Sequence, residues 1–183
     1  MLVDGKLNKH NRPLLYMTPK KIYIIGPPGS GKTRFAFILS KKLSISKHNL
    51  DEVYWKRKYD LKRKEEERKK ILFEIIKEKN WIVEGVYGSW TEPAIQKSDI
   101  VIWIDIPFLL IVFRIILRFL RKWKKDKKEG WKSTFNLIKK VYEYKIKSEK
   151  SFYLSHKQLI EKSKSKVIII KSNKEMNKVL AEF

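Results

Sequence analysis

The chain has 183 residues, 43% of them hydrophobic, with 43 Lys+Arg against 20 Asp+Glu for a formal charge of +23, and it contains no cysteine. That length suits one well-packed core rather than two, and the missing cysteine excludes disulfides, thiolate zinc sites and cysteine nucleophiles. Only eight of the basic residues are arginine, and lysines are spread along nearly every segment, so the charge reads as compositional bias, with weak, non-specific attraction to nucleic acid as its consequence.

The first sixteen residues show no clear element; residues 1–19 read as an N-terminal extension to a single domain at 20–183, with Met17 a sufficient start. The opening MLVDGKLNKHNRPLLYMTPKK lacks the uninterrupted apolar run and small-residue cleavage site of a signal peptide, which favours a cytoplasmic protein. Strands are expected at Lys21 to Ile25, weakly near Leu50 to Trp55, then at Trp81 to Val86, Ile100 to Ile106 and Lys166 to Lys171. Between them, helical spacing predicts helices at Lys32 to Leu43, Leu61 to Glu78, Phe108 to Lys122, Ser133 to Ser148, Ser151 to Glu161 and Asn173 to Phe183. Such alternation is the pattern of an α/β fold with a parallel sheet. The runs at 21–25, 100–106 and 166–171, apolar on both faces, are expected at its buried centre. The longest apolar stretch, Ile100 to Phe113, is broken by Asp105 and Pro107 and meets Arg114 and Arg118; it is no membrane span, and no membrane partner is expected.

Between the first strand and the first helix lie Gly26, Pro27, Pro28, Gly29, Ser30, Gly31, Lys32 and Thr33, which match G-x-x-x-x-G-K-[ST] in its confirming context. Glycines let successive N–H groups turn toward one phosphate, and the helix beginning near Lys32 adds unpaired donors and the positive end of its dipole. Lys32 then reaches the β and γ phosphates of a nucleoside triphosphate, and the Thr33 hydroxyl ligates Mg²⁺. Arg34, next in the chain, completes the nucleotide-contacting set.

Farther on, WIVEGVYGSW places Glu84 at the carboxyl edge of the sheet, where ligands of such sheets bind. Its carboxylate is placed to hold a magnesium-bound water or to orient an acceptor; the plainer alternative is a surface acid at a strand end. After the strand ending at Asp105, Arg114, Arg118 and Arg121 fall on one helical face and lead into RKWKKDKKEG. This row reads as a positive wall facing the phosphates rather than a solvent stripe. The stretch VYEYKIKSEKSFY brings Lys145 or Lys147 toward the phosphates or leaves them on a solvated face. Phe35, Phe37, Phe113 and Phe119 sit at helical spacing and read as core.

The P-loop between strand and helix, the Glu-Gly after the middle strand, and Asp-Ile-Pro followed by arginines seven and eleven residues beyond the proline resemble the adenylate-kinase-like group of P-loop nucleoside and nucleotide kinases. More narrowly, LDEVYW (50–55), WIVEGVY (81–87) and WIDIP (103–107) are similar to the bacterial DNA topology modulation proteins. The resemblance covers about residues 20–183 and implies a three-layer P-loop NTPase fold with a five-stranded parallel sheet, an acceptor-binding region at about 48–80 and a short lid at about 119–131. It further implies ATP and Mg²⁺ as cofactors and a small phosphate acceptor as partner. By the same resemblance Arg114 packs on the donor's adenine, Arg118 contacts its phosphates, Asp51 faces the acceptor or its magnesium, and Asn173 belongs to the loop 171–174 bordering the donor base.

The catalytic set is therefore Lys32, Glu84, Asp51, Arg114, Arg118 and Arg121, with Thr33 and Glu84 as the magnesium-holding pair. The chain departs from the resembled pattern in carrying Glu84 where Asp is usual, and Ser89 and Trp90 where an arginine is expected, for which Lys56, Arg57 and Lys97 are candidate substitutes. His48 is read as a surface residue. An alternative to the kinase is a nucleic-acid-binding protein whose ATP site regulates or modifies DNA or RNA, with Trp90, Trp123 and Trp131 as exposed stacking platforms.

Overall fold

The computed structural model describes residues 19–57, 60–125, 131–145 and 152–183. In chain order these form β1 (Lys21–Ile25), α1 (Lys32–Leu43), β2 (Lys47–Asn49), α2 (Leu50–Tyr54), β3 (Trp55–Arg57), β4 (Leu61–Lys62), α3 (Glu65–Lys77) and β5 (Trp81–Gly85). There follow α4 (Glu92–Lys97), β6 (Ile100–Ile104), α5 (Phe108–Lys125), α6 (Trp131–Lys145), α7 (Phe152–Glu161), β7 (Lys166–Ile170) and α8 (Asn173–Glu182). Five strands make an all-parallel sheet in the order β2-β5-β1-β6-β7.

Alternate residues of β1 decide the layering. Ile22 and Ile24 enter one apolar cluster with Phe35 and Leu39 of α1, Ile111 and Ile115 of α5, Val141 of α6 and Val179 of α8. Tyr23 and Ile25 enter the other, with Leu50 of α2, Leu72 and Ile76 of α3, Ile95 of α4 and Ile160 of α7. The period-two alternation of a strand covered on both faces thus produces three layers, helices, sheet and helices.

The central strands are as the sequence predicts, but two assignments are corrected. The segment Leu50–Tyr54 is helical, because the Asn49 side chain caps it by accepting from the Asp51 N–H at 2.8 Å, and Asp51 and Glu52 occupy its first turn. The outer strand of the sheet is instead the short, polar Lys47–Asn49. The run at 166–171 lies at the opposite edge, half-buried, whereas β5 beside the centre is buried throughout. A doubly apolar run does not distinguish a central strand from an edge strand that a helix covers.

The expected helix at 61–78 starts only at Glu65, where three successive glutamates complement the positive helix end, while Leu61–Lys62 pairs antiparallel with Trp55–Arg57. A turn of 3₁₀ helix at Ser89–Thr91 and α4 had no counterpart in the sequence reading. Of the aromatic residues taken as core, Phe35 and Phe119 are buried, but Phe37 and Phe113 are 47% and 56% exposed. The extension at 1–18, Lys147 and residues 126–130 of the expected lid lie outside the described residues. Among those described, no helix is long and apolar enough to cross a membrane.

Candidate active site

Parallel pairing brings the carboxyl ends of β1, β5 and β6 together: Ile24 is opposite Glu84, Ile25 opposite Gly85, and Ile25 opposite Trp103. The chain leaves β1 directly into residues 26–33, and α1 begins at Lys32. Gly26 has φ +155°, and a Cβ there would stand 2.5 Å from the Ile104 carbonyl oxygen. Gly31, the residue capping α1, has φ +103°. Only glycine meets both demands without strain.

Lys32 is 9% exposed, and its ammonium donates to the Pro27 carbonyl at 3.0 Å. Burial lowers its pKa, while the Glu84 and Asp51 carboxylates pull the other way. The Thr33 hydroxyl donates to Glu84 Oε1 at 2.9 Å, and Glu84 is only 3% exposed. It is therefore not the surface acid of the plainer reading. Burial raises its pKa, opposed by Lys32 and the Thr33 bond, with Asp51 adding to the rise. The hydroxyl of Ser30 is buried with no protein partner, an unmet hydrogen-bonding demand inside the loop.

Arg114 projects from α5 onto this loop. One of its amino groups donates to the Ser30 carbonyl at 2.8 Å and the other to the Asn173 side chain at the start of α8. Arg114 and Asn173, separated by most of the second half of the chain, are thereby brought to the P-loop. Arg118 and Arg121 are exposed on the same helix, and Arg34 is exposed on α1. Lys145 is not on a solvated face: it is ion-paired with Asp105, each side chain 14% exposed.

Asp51 is fixed from two sides. Its N–H is bound by Asn49, and its Oδ1 accepts from the Tyr87 hydroxyl at 2.8 Å. The Tyr87 ring stacks on Tyr54 at 4.7 Å and 18°, and its carbonyl accepts from Tyr23, Thr91 and His156 at 3.4, 3.0 and 3.2 Å. Because a carbonyl only accepts, Nε2 of His156 carries the hydrogen and Nδ1 accepts from Tyr144 at 2.9 Å.

Nothing local to WIVEGVY marks its tyrosine, Tyr87, as the partner of Asp51. Of the three candidate substitutes for the absent arginine, Arg57 is ion-paired with Asp60, Lys97 lies 5.3 Å from the Phe73 ring, and Lys56 is exposed on β3. Trp90 is 8% exposed and packs in the core, so it offers no stacking platform; Trp123 and Trp131 are 46% and 66% exposed. His48 is part-buried, 3.4 Å from Glu78.

Two oxygen-bearing side chains in contact, Thr33 and Glu84, suit a hard cation such as Mg²⁺, which takes few protein ligands and completes its shell with phosphate and water. Among the described residues no group of three or more His, Cys, Asp or Glu could hold a metal ion.

No protein-family model matches the chain. The uncharacterized protein YqaC of Bacillus subtilis (strain 168) is 34% identical over 90 residues, 48% of this chain, and the match spans only 50% of that protein. Among solved structures, shikimate kinase from Acinetobacter baumannii in complex with shikimate is similar at a TM-score of 0.55 and 18% identity, over 89% of this chain and 92% of that one. Shikimate kinase from Bacteroides thetaiotaomicron is similar at a TM-score of 0.54 and 10% identity, over 90% and 96% of the two chains. With the sheet order and the loop geometry, these likenesses establish a three-layer α/β P-loop NTPase fold.

Proposed function

We propose that this protein is an ATP-dependent phosphotransferase that moves the γ-phosphoryl group of Mg-ATP to a small acceptor, in the simplest case a nucleotide or nucleoside. One observation carries the reading: a P-loop with a buried lysine opens directly onto the Thr33–Glu84 pair at the carboxyl edge of the sheet. The shikimate kinases of like fold are phosphotransferases, and the short motifs around Asp51, Glu84 and Asp105 favour the adenylate-kinase-like branch, nearest the DNA topology modulation proteins.

The amides of residues 26–33 and the start of α1 receive the β and γ phosphates, and Ser30 Oγ gains a partner there. Lys32 exchanges the Pro27 carbonyl for phosphate oxygens, which suits an ammonium that burial has left poorly compensated. Thr33 and Glu84 would hold Mg²⁺, which when bound neutralises charge on the bridging phosphate oxygens. Arg114, fixed between Ser30 and Asn173, borders the donor, while Arg118, Arg121 and the 119–131 segment supply the lid that excludes water.

Asp51, aligned by Tyr87, orients the acceptor hydroxyl and takes its proton as the oxygen–phosphorus bond forms and the bond to the β-phosphate oxygen breaks, releasing ADP. A screen of nucleosides, nucleotides and small hydroxy acids with labelled Mg-ATP tests the proposal. One acceptor is expected to take label, and Lys32→Ala should cut its turnover about 10²-fold or more without loss of fold. No labelled product with any acceptor, under conditions where Mg-ATP binds, would oppose it.

A further inference from the structure

Helices α5 and α6 pack side by side and antiparallel, with Phe108 against Tyr142 at one end and Phe119 against Trp131 at the other, ring centroids 6.4 and 4.3 Å apart. Each leaves an apolar row outside the core. On α5 the row is Leu109, Phe113, Ile116, Leu120 and Trp123, at spacings of four, three, four and three; on α6 it is Trp131, Phe135, Ile138 and Tyr142, at four, three and four. Ile138 is half-buried, and the other eight side chains are 37% to 78% exposed. The rows adjoin, because Ile116 of α5 and Trp131, Phe135 and Ile138 of α6 line one groove.

A strict four-three repeat is the seam by which helices pack on further helices, and here it recurs on both members of the hairpin. With aromatic side chains of about 150–250 Å² each, the exposed fractions leave roughly 800 Å² of apolar surface. That exceeds the ~300–600 Å² of the largest patch on a typical monomer and is about what each partner contributes to a standard protein interface. Arg114, Arg118 and Arg121 occupy another side of α5, roughly 140° round at about 3.6 residues per turn, and Arg114 reaches the P-loop from there. A partner seated on the rows therefore leaves the P-loop clear. Lys132 and Lys139 flank the α6 row, and the whole chain carries +23, a charge that opposes pairing of like molecules until salt screens it.

We propose that this face is the interface of a homodimer: two α5–α6 hairpins meet about a two-fold axis, the rows of one copy seated on those of the other in a four-helix arrangement. A second copy brings the same two seams and the same area, and neither row contains a charged residue that would select a partner of another kind. Trp123 and Trp131 then act as interface anchors rather than as stacking platforms for bases.

Sedimentation velocity of the full-length protein, from about 1 to about 100 μM, is expected to show a dimer of twice the 22.0 kDa chain mass. Phe113→Glu and Phe135→Glu each place a charge in the seam, at a position exposed in the single copy, and should weaken dimerisation about 100-fold or more. Phe73→Glu, at an exposed phenylalanine of α3 on the opposite face of the sheet, should leave it unchanged. Raising salt should tighten the dimer by screening its like charges, the reverse of binding to a polyanion. A second readout needs no variant: lysine cross-linking in a mixture of ¹⁴N- and ¹⁵N-labelled protein should join light to heavy copies through Lys132 and Lys139. A wild type still monomeric at about 100 μM, a dimer as strong in both seam variants as in the wild type, a dimer that salt dissolves, or light-to-heavy links that leave out both lysines overturns the proposal. Flotation of such a monomer with phosphatidylserine vesicles, lost in both seam variants, would give the face to a lipid surface instead.

Discussion

Glu84 carries most of the site's electrostatic tension. Nearly buried, it accepts a neutral hydroxyl from Thr33 and lies in the field of Lys32, so its charge is favoured by neighbours and opposed by its surroundings. A divalent cation between Thr33 and Glu84 would relieve both the buried carboxylate and the repulsion from Asp51. Glu84→Gln keeps the size and an acceptor for Thr33 while removing the charge. The Mg²⁺ concentration for half-maximal phosphoryl transfer is expected to rise about tenfold to a hundredfold, with the Kd for metal-free ATP little changed. An unchanged Mg²⁺ dependence would remove Glu84 from the metal pair. The P-loop was legible in the sequence because its pattern is local: the glycines, Lys32 and Thr33 lie within eight consecutive positions, whereas the contact between Thr33 and Glu84 spans 51 residues.

At the scale of elements, the loop after β5 is held in place by α7. His156, fully buried, links the Tyr87 carbonyl to Tyr144 of α6, and burial pushes its pKa down to about 4. It is neutral in the fold, whereas the unfolded chain takes up the proton near the ordinary value of 6.5. Its contribution is therefore complete above about pH 6.5 and fades as the pH falls toward about 4, by about 3 kcal/mol over that window. Urea unfolding at pH 7 and pH 4.5 should show the wild type losing more stability than His156→Asn by about that amount; parallel losses would contradict it. None of this was readable in advance, since Tyr87 lies 69 residues from His156 and the histidine sits in an unremarkable helical segment. The misassigned Leu50–Tyr54 failed for a local reason: Val53, Tyr54 and Trp55 favour a strand, and the capping Asn49 overrides them.

For the molecule as a whole, alternation of apolar runs and helical periods was enough to give the α/β class, because burial on both faces of β1 leaves a signal in every residue. The acceptor side was far less legible. Arg68 stands in KEEERKKI among like charges, and only the fold brings it over the rings of Tyr54 and Trp90. The P-loop is thus written in one contiguous motif, whereas the contacts among α2, α3 and the segment after β5 exist only once the sheet has formed. Every functional assignment depends on the donor half. Calorimetric titration of the protein with Mg-ATP, beside Lys32→Ala, measures it directly. The expected result is a saturable, one-site heat in the wild type that Lys32→Ala weakens by about tenfold or more; a wild-type titration indistinguishable from buffer, or one that Lys32→Ala leaves unchanged, would contradict it.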